Sequence, residues 1–451
     1  MTEQRTPVKR NRYTLQTLAA LVLASVSLAG CGGDDTSTSE KATTTPAEKP
    51  AANVSGKLSV VGVWTAEEQK SFQAVLDGFE RKFPKVTVKY NPAGDNVPTV
   101  LGTAVEGGNP PDLATVAQPG LIAELQEKDA LKPLDFAKAE LEANYPADFN
   151  KLGTIDGKAY SFVFKGANKS TVWFNVKAFE AAGVQPPKTF EELVQAAKTV
   201  KASGTPAYAV AGADGWTLTD LFENIYLRQA GPEKYDQLAT HEIKWTDPSV
   251  KDALKMMTQV IGDDSNFAGG KSGALETDFP TAVSKVFADP AKAAMIIEGD
   301  FVPGVVAGKT DLEAKTGYDV FPFPTIGDAE GAVVGGGDSL VMFKDTPAGQ
   351  ELVKYLASPE AAEIWVRRGG FSSPNKNVPE DAYPDETTRT TATAIAQAKT
   401  FRFDMSDLAP ASFGGTPGQG EWKILQDFLS KPTDVDGTAT KLEASAAKAF
   451  K

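Results

Sequence analysis

Residues 58–90 read LSVVGVWTAEEQKSFQAVLDGFERKFPKVTVKY, and the change of pattern along them decides the fold class. Leu58 to Trp64 is a valine-rich run that ends at a polar turn, as a strand does. Thr65-Ala66-Glu67-Glu68 has the form of a capping box, in which the threonine hydroxyl satisfies a free helix N–H and the second glutamate reaches back. Phe72, Val75, Leu76, Phe79 and Phe83 then recur at spacings of three or four, one face of a helix. Pro84 stops it, and Val86, Val88 and Tyr90 alternate as a second strand. Strand, helix and strand in that order predict a parallel pair with the helix lying across the sheet.

Downstream the alternation continues. A helical stretch near 99–106, the turn Gly107-Gly108-Asn109-Pro110-Pro111-Asp112, a strand over 113–116 and a helix opened by Pro119 follow. The pattern restarts with a strand over 171–175 and a short helix over 177–182. A second capping box, Thr189-Phe190-Glu191-Glu192, opens a helix through Leu193, Ala196, Ala197 and Val200, and a strand is expected over 208–211. Ser358-Pro359-Glu360 caps a helix carrying Ile364 and Trp365 that ends at Gly369-Gly370. No repeat of 20–50 residues is present, which argues against solenoids and propellers. The expectation is an α/β protein of two lobes, with parallel-type sheets flanked by helices. Ligands of such folds bind where strand C-terminal ends meet a cleft.

Upstream of this body, Arg5, Lys9, Arg10 and Arg12 precede an apolar stretch over 13–29, too short and too dotted with Ser and Thr to span a membrane well. Leu28-Ala29-Gly30-Cys31 follows, small residues before a cysteine in the manner of a bacterial lipobox. Residues 1–30 are therefore expected to be a lipoprotein signal peptide, with Cys31 lipidated. Their removal takes away four basic residues and only one acid, Glu3, leaving a more acidic chain. Residues 31–56 carry the lipidated cysteine and a polar tether with too little apolar surface to offset its ordering entropy.

Composition narrows the chemistry. The 451 residues carry a formal net charge of −13, which argues against nucleic acid as a partner. There is one cysteine, Cys31, and one histidine, His241, so an internal disulfide and a His-rich metal site are both excluded. Neither a metal nor a cofactor is expected. Gly270-Lys271-Ser272 has the ending of a phosphate-binding loop but lacks its first glycine, and no strand feeds it.

Taken in order, several stretches resemble one family. Val60-Val61-Gly62-Val63-Trp64, Asn109-Pro110-Pro111-Asp112 and Trp173-Phe174-Asn175 are similar to extracellular solute-binding proteins of carbohydrate ABC transporters. Glu298-Gly299-Asp300-Phe301, Phe321-Pro322-Phe323-Pro324, Gly335-Gly336-Gly337-Asp338, the run from Arg367 to Lys376 and Phe401-Arg402-Phe403-Asp404 resemble its α-glucoside-binding branch. The resemblance implies the two-lobe periplasmic-binding-protein fold of type II, with a hinge and three crossovers, placed near Lys165–Ser170, Tyr318–Pro324 and Ala357–Glu360. The N-terminal lobe is then 57–166 with 322–357, and the C-terminal lobe 170–317 with 360–451. It also implies a receptor without catalysis, tethered through Cys31 to a lipid membrane at the exterior or in the periplasm, that hands an oligosaccharide to ABC permease subunits. A monomer is expected.

A sugar offers apolar C–H faces to aromatic rings and a rim of hydroxyls to acids, amides and Arg. Trp64, at a strand end, and Trp216, in the turn after Gly212-Ala213-Asp214-Gly215, are candidates, with Asp214 beside the latter. Trp422 is a third, in a segment that resembles the family's sugar-stacking helix. Trp173, Trp245 and Trp365 read as core. Asp300 and Phe301 follow a strand, Asp338 follows three glycines, and Arg402 and Asp404 alternate so as to face one side. Glu67, in the first turn of the first helix, and Gln118, before Pro119, complete the candidate set. Two alternatives remain at this stage: an exported glycosidase working through two carboxylates, and a receptor of the same fold for a polyamine or metal chelate.

Overall fold

The structure, a computed structural model, describes residues 53–450. The valine-rich run forms strand β1 (Gly56–Gly62), the phenylalanine-bearing segment helix α1 (Ala66–Lys82), and the next alternation β2 (Val86–Pro92). Helix α2 (Val97–Glu106), strand β3 (Leu113–Val116) and helix α3 (Pro119–Glu127) follow. As the βαβ order predicts, β1 lies parallel to β2, with Val60 beside Tyr90, and parallel to β3, with Val60 beside Leu113. Phe72, Val75, Leu76 and Phe79 of α1 are buried against this sheet.

Parallel pairing does not extend throughout. Strand β4 (Ser161–Asn168) and the long β8 (Ala332–Met342) run antiparallel to each other, and β8 is antiparallel to β3. Between them in the chain, β5 (Thr171–Asn175), β6 (Met295–Ile297) and β7 (Tyr318–Pro322) form a second sheet in the order β6-β5-β7, antiparallel at both pairings. Strand β9 (Thr400–Phe403) returns to the first sheet, parallel to β8. The first sheet is therefore mixed and the second antiparallel, because these strands are joined by crossovers that reverse direction rather than by successive right-handed βαβ units. The expected strand over 208–211 is absent: Tyr208 makes only isolated bridges to Phe267 and Met295.

Two apolar cores flank the crossovers. One holds Leu58, Phe72, Phe162, Leu340 and Trp365. The other holds Val172, Phe222, Leu254, Met295 and Leu425. Strand β8 belongs to both, contributing Val334 to the second and Leu340 to the first. The segment 361–382 departs from the lobe boundary expected at 360. Ala361, Trp365, Phe371 and Ala382 pack in the first core, whereas Met405, Phe413 and Leu425 pack in the second. The passage between cores thus falls after Ala382. Helix α4 (Phe190–Ala202) and helix α5 (Trp216–Ala230) cover the second sheet's side, and α6 (Gly420–Ser430) lies against α5.

Cys31, the expected signal peptide and most of the expected tether lie outside the described residues. No helix among the described residues is long and apolar enough to cross a membrane.

A candidate ligand-binding cleft

Strand ends and helix starts from both cores converge on one cleft of about 800 Å³, its open mouth included. Its floor is the β4 crossover. Lys165 and Lys169 stand four residues apart there, both buried. The three glycines before Asp338 explain how these strands meet: a Cβ on Gly336 would lie 2.8 Å from Lys169 Cε, and one on Gly337 2.5 Å from Val163 Cγ1. The close backbone approach these glycines permit is thus to the lysine-bearing strand.

Lys165 sits directly opposite Asp338 across the β4–β8 pair, at the point where the register shifts between Asp338 and Ser339. Such irregularities re-aim side chains out of the regular pleat. Lys165 Nζ donates to Glu68 Oε1 at 2.6 Å and lies 3.9 Å from Asp338 Oδ2. Burial alone would lower its pKa, but Glu68 and Asp338 outweigh that and raise it, so the ammonium is retained. Trp64 completes this corner by donating its indole N–H to Asp338 Oδ2 at 2.6 Å.

Lys169 is held from the other side. Its ammonium donates to Asp404 at 2.5 Å, Asp220 at 3.1 Å and Asp407 at 3.4 Å, which uses all three of its protons. Burial opposes its charge, yet these three carboxylates raise its pKa well above the ordinary value. One ammonium cannot neutralise three buried acids. Burial and the nearby Asp404 push Asp407 strongly up, while Lys169 and several hydrogen bonds overcome burial to hold Asp404 down.

The walls are aromatic. Trp216, partly exposed, packs at 5.6 Å from Phe279 and 5.9 Å from Phe301, which are themselves 5.2 Å apart. Trp422 lines the cleft but is only 2% exposed. Gly215, at φ +81°, admits it: a Cβ there would meet Trp422 Cβ at 2.8 Å. Trp422 Nε1 and Gln118 Oε1 are buried with no hydrogen-bond partner among the described residues. Asp95, in the turn after β2, has its pKa raised to about 7 by burial and then by the charge of Asp214. Asp214 accepts the Phe279 N–H at 2.6 Å, and burial raises its pKa to about 6.

Of the residues proposed from sequence, Trp64, Gln118, Trp216, Phe301, Asp338 and Trp422 line the cleft. Trp64 does so by its edge only, since its ring is clamped by Phe72 at 4.6 Å and Trp365 at 4.9 Å. Five do not line it. Glu67 pairs with Lys70 at 2.7 Å and packs beside Gly308. Asp214 lies behind Phe279, and Asp300 is buried beneath the cleft, accepting from the Ser372 hydroxyl. Arg402 and Asp404 part company because β9 ends at Phe403. Arg402 binds Asp236 at the surface, at 2.5 and 2.9 Å, while Asp404 turns inward as the cap of the next helical turn. Trp173, Trp245 and Trp365 are core, as their placement in the sequence suggests.

Glu68, Asp95, Lys165, Lys169, Phe279 and Asp407 line the cleft without having been singled out from sequence. A signal existed for three of them. Glu68 lies four residues before Phe72 and so shares the buried face of α1, which Glu67 does not. Lys165 and Lys169 interrupt the run Ser161–Asn168 and its continuation, every residue of which is buried. Among the described residues no cluster of His, Cys, Asp and Glu is arranged to hold a metal.

Comparison with known proteins agrees with this geometry. Residues 64–363 match the family described as bacterial extracellular solute-binding protein. The osmoprotective compounds-binding protein GgtB of Synechocystis sp. is 32% identical, over 85% of this chain and 90% of its own. The alpha-glucosides-binding periplasmic protein AglE of Rhizobium meliloti is 31% identical, over 85% of each. Among solved structures, the bacterial solute receptor AcbH superposes with a TM-score of 0.76 at 18% identity, covering 88% of this chain and 100% of the other. The raffinose complex of RafE gives 0.71 at 19% identity, with the same coverage. The two cores astride a shared strand, the cleft at their crossovers and these matches make this chain a member of the bacterial extracellular solute-binding protein family.

Proposed function

We propose that this protein is the receptor of an ABC importer for an α-glucoside or related oligosaccharide. Two lobes close on the sugar by a hinge motion, no bond is made or broken, and the ligand passes to the permease. The observation that carries this reading is a cleft walled by Trp216, Phe279 and Phe301 and floored by acids paired with Lys165 and Lys169. Aromatic faces take sugar C–H surfaces, and the charged groups bond hydroxyls. Hydrogen bonds to charged groups contribute about 1.5–3 kcal/mol each. A few of them with stacking reach the roughly −8 kcal/mol of a micromolar receptor. The alpha-glucosides-binding relative from Rhizobium meliloti favours that ligand class. Leu28-Ala29-Gly30-Cys31 favours cleavage before Cys31 and its lipidation, which would tether the receptor to the cell envelope. As a receptor of this kind it acts as a monomer.

The test is a calorimetric and tryptophan-fluorescence titration of residues 32–451 with trehalose, maltose, sucrose, maltotriose and palatinose, followed by recovery of the sugar. Saturable binding with the sugar recovered intact is expected. Recovery of cleaved sugar, or silence across the panel, would sink the proposal.

A further inference from the structure

Resting on that reading, we propose that Glu68, Lys165 and Asp338 form the corner where the ligand is read, that this corner takes an uncharged vicinal diol, and that it turns away a carboxylate. Lys165 is 4% exposed and lines the cleft. Among the described residues only one of its three N–H donors is spent, on Glu68 Oε1, because Asp338 at 3.9 Å is beyond hydrogen-bond reach. Its ammonium lies 5.1 Å from the Phe301 ring centroid and 5.7 Å from that of Trp365, two aromatic faces that favour a cation there. Each flanking carboxylate also keeps a free oxygen. The hydrogen bonds of the described residues use Glu68 Oε1 and Asp338 Oδ2, and leave Glu68 Oε2 and Asp338 Oδ1 without a donor. Both side chains retain solvent access, 26% and 17%.

Unspent donors on a central cation, with an acceptor on each side, complement two adjacent hydroxyls. Each hydroxyl can accept from Lys165 and donate outward, to Glu68 or Asp338. The corner carries two acids against one base, so a ligand carboxylate would meet like charge on both flanks. The other cleft cation cannot receive it, because all three protons of Lys169 are taken by Asp220, Asp404 and Asp407. Neutral sugars are thereby separated from uronates of the same shape.

All five neutral sugars of that panel are titrated at neutral pH on the wild type and on Glu68→Gln, with trehalose, maltose and sucrose beside the C6-monocarboxylate of each. At least one neutral sugar is expected to bind, with its carboxylate about 100-fold weaker, as like charges across a contact require. In Glu68→Gln, which keeps the shape and removes one repelling charge, that ratio should shrink at least about tenfold even as the neutral sugar weakens. A carboxylate bound within about threefold of its neutral parent overturns this inference and leaves the proposed function standing. Failure of every neutral sugar overturns the proposed function and this inference with it. An unchanged ratio in Glu68→Gln, with the variant's thermal unfolding matching wild type, also overturns the assignment to this corner.

Discussion

Helices α1 and α4 begin with nearly the same four residues, Thr65-Ala66-Glu67-Glu68 and Thr189-Phe190-Glu191-Glu192, and both threonines have extended backbone. At α4 the box closes. Thr189 Oγ1 accepts the Glu192 N–H at 3.2 Å, and Glu192 accepts the backbone N–H of Thr189 at 3.3 Å and of Lys188 at 2.8 Å. At α1 it does not close. Thr65 makes no side-chain cap, and Glu68 reaches instead across the cleft floor to Lys165. Ala66, the first helical residue there, is held at φ +48°, a left-handed conformation that L residues avoid. Local rules are obeyed where the helix start faces solvent and set aside where the same glutamate is drawn into a binding cleft. Strain collected at such a place is a mark of function.

The hardest way to break the contrast is Lys165→Met. It leaves Glu68 and Asp338 without their cation; removing one partner of a fully buried pair costs about 3–5 kcal/mol, and the partial solvent access of both acids lowers that to about 2 kcal/mol. We expect a thermal-melt shift well beyond that of any α4 variant, with ligand affinity abolished. A melt unchanged from wild type would show that the ion pair does not hold the floor.

Thr189→Ala should cost about 1 kcal/mol, whereas Thr65→Ala should cost nothing measurable. Parallel chemical-denaturation curves of the two variants decide this. Equal losses would mean that the box at α1 closes in solution after all.

The two sites should also answer pH in opposite senses. Burial and Asp214 raise Asp95 to about 7, so the folded state holds a proton that the unfolded state releases. That contribution is full below about pH 4 and is lost as pH rises toward about 7. Glu192 is lowered by the Lys188 and Thr189 N–H groups, so its contribution is present at neutral pH and lost as pH falls through its pKa. Stability followed from pH 4 to pH 8 should therefore fall less steeply in Asp95→Asn than in wild type. Glu192→Gln should lose its deficit only in acid. Parallel profiles in all three proteins would contradict this assignment.

The smallest effect should come from Ala66→Gly. Relief of the left-handed strain outweighs glycine's extra unfolded-state entropy by about 0.5 kcal/mol. The melting temperature should rise slightly, with the Glu68–Lys165 pair and ligand affinity preserved. A lower melting temperature would mean that Ala66 bears no strain.

How far the cleft could be read from sequence follows the same line. Positions governed by local periodicity were legible: the strand Gly56–Gly62, the buried face of α1, the closed box at Thr189 and the Ser358 cap, whose side chain accepts the Ala361 N–H. Trp216, Phe301 and Asp338 were legible as cleft residues because strand ends and glycine turns announce where a chain meets a crevice. Arg402 and Asp404 misled, since a period of two holds only while a strand continues, and β9 ends between them.

By itself, the amino-acid order determined the alternation of strands and helices, the acidic balance, the polar segment around Cys31 and the aromatic residues available to a sugar. These depend on residues within a few positions of one another, or on composition. Only the tertiary structure decided that the second sheet is antiparallel, that Ala361 to Ala382 pack with the first core, and that Glu68 rather than Glu67 meets the cleft. Those outcomes turn on pairings between residues far apart in the chain, Lys165 with Glu68 and Asp338, Lys169 with Asp404. A buried charge takes whichever partner the packed backbone brings within reach, and no local pattern encodes that choice.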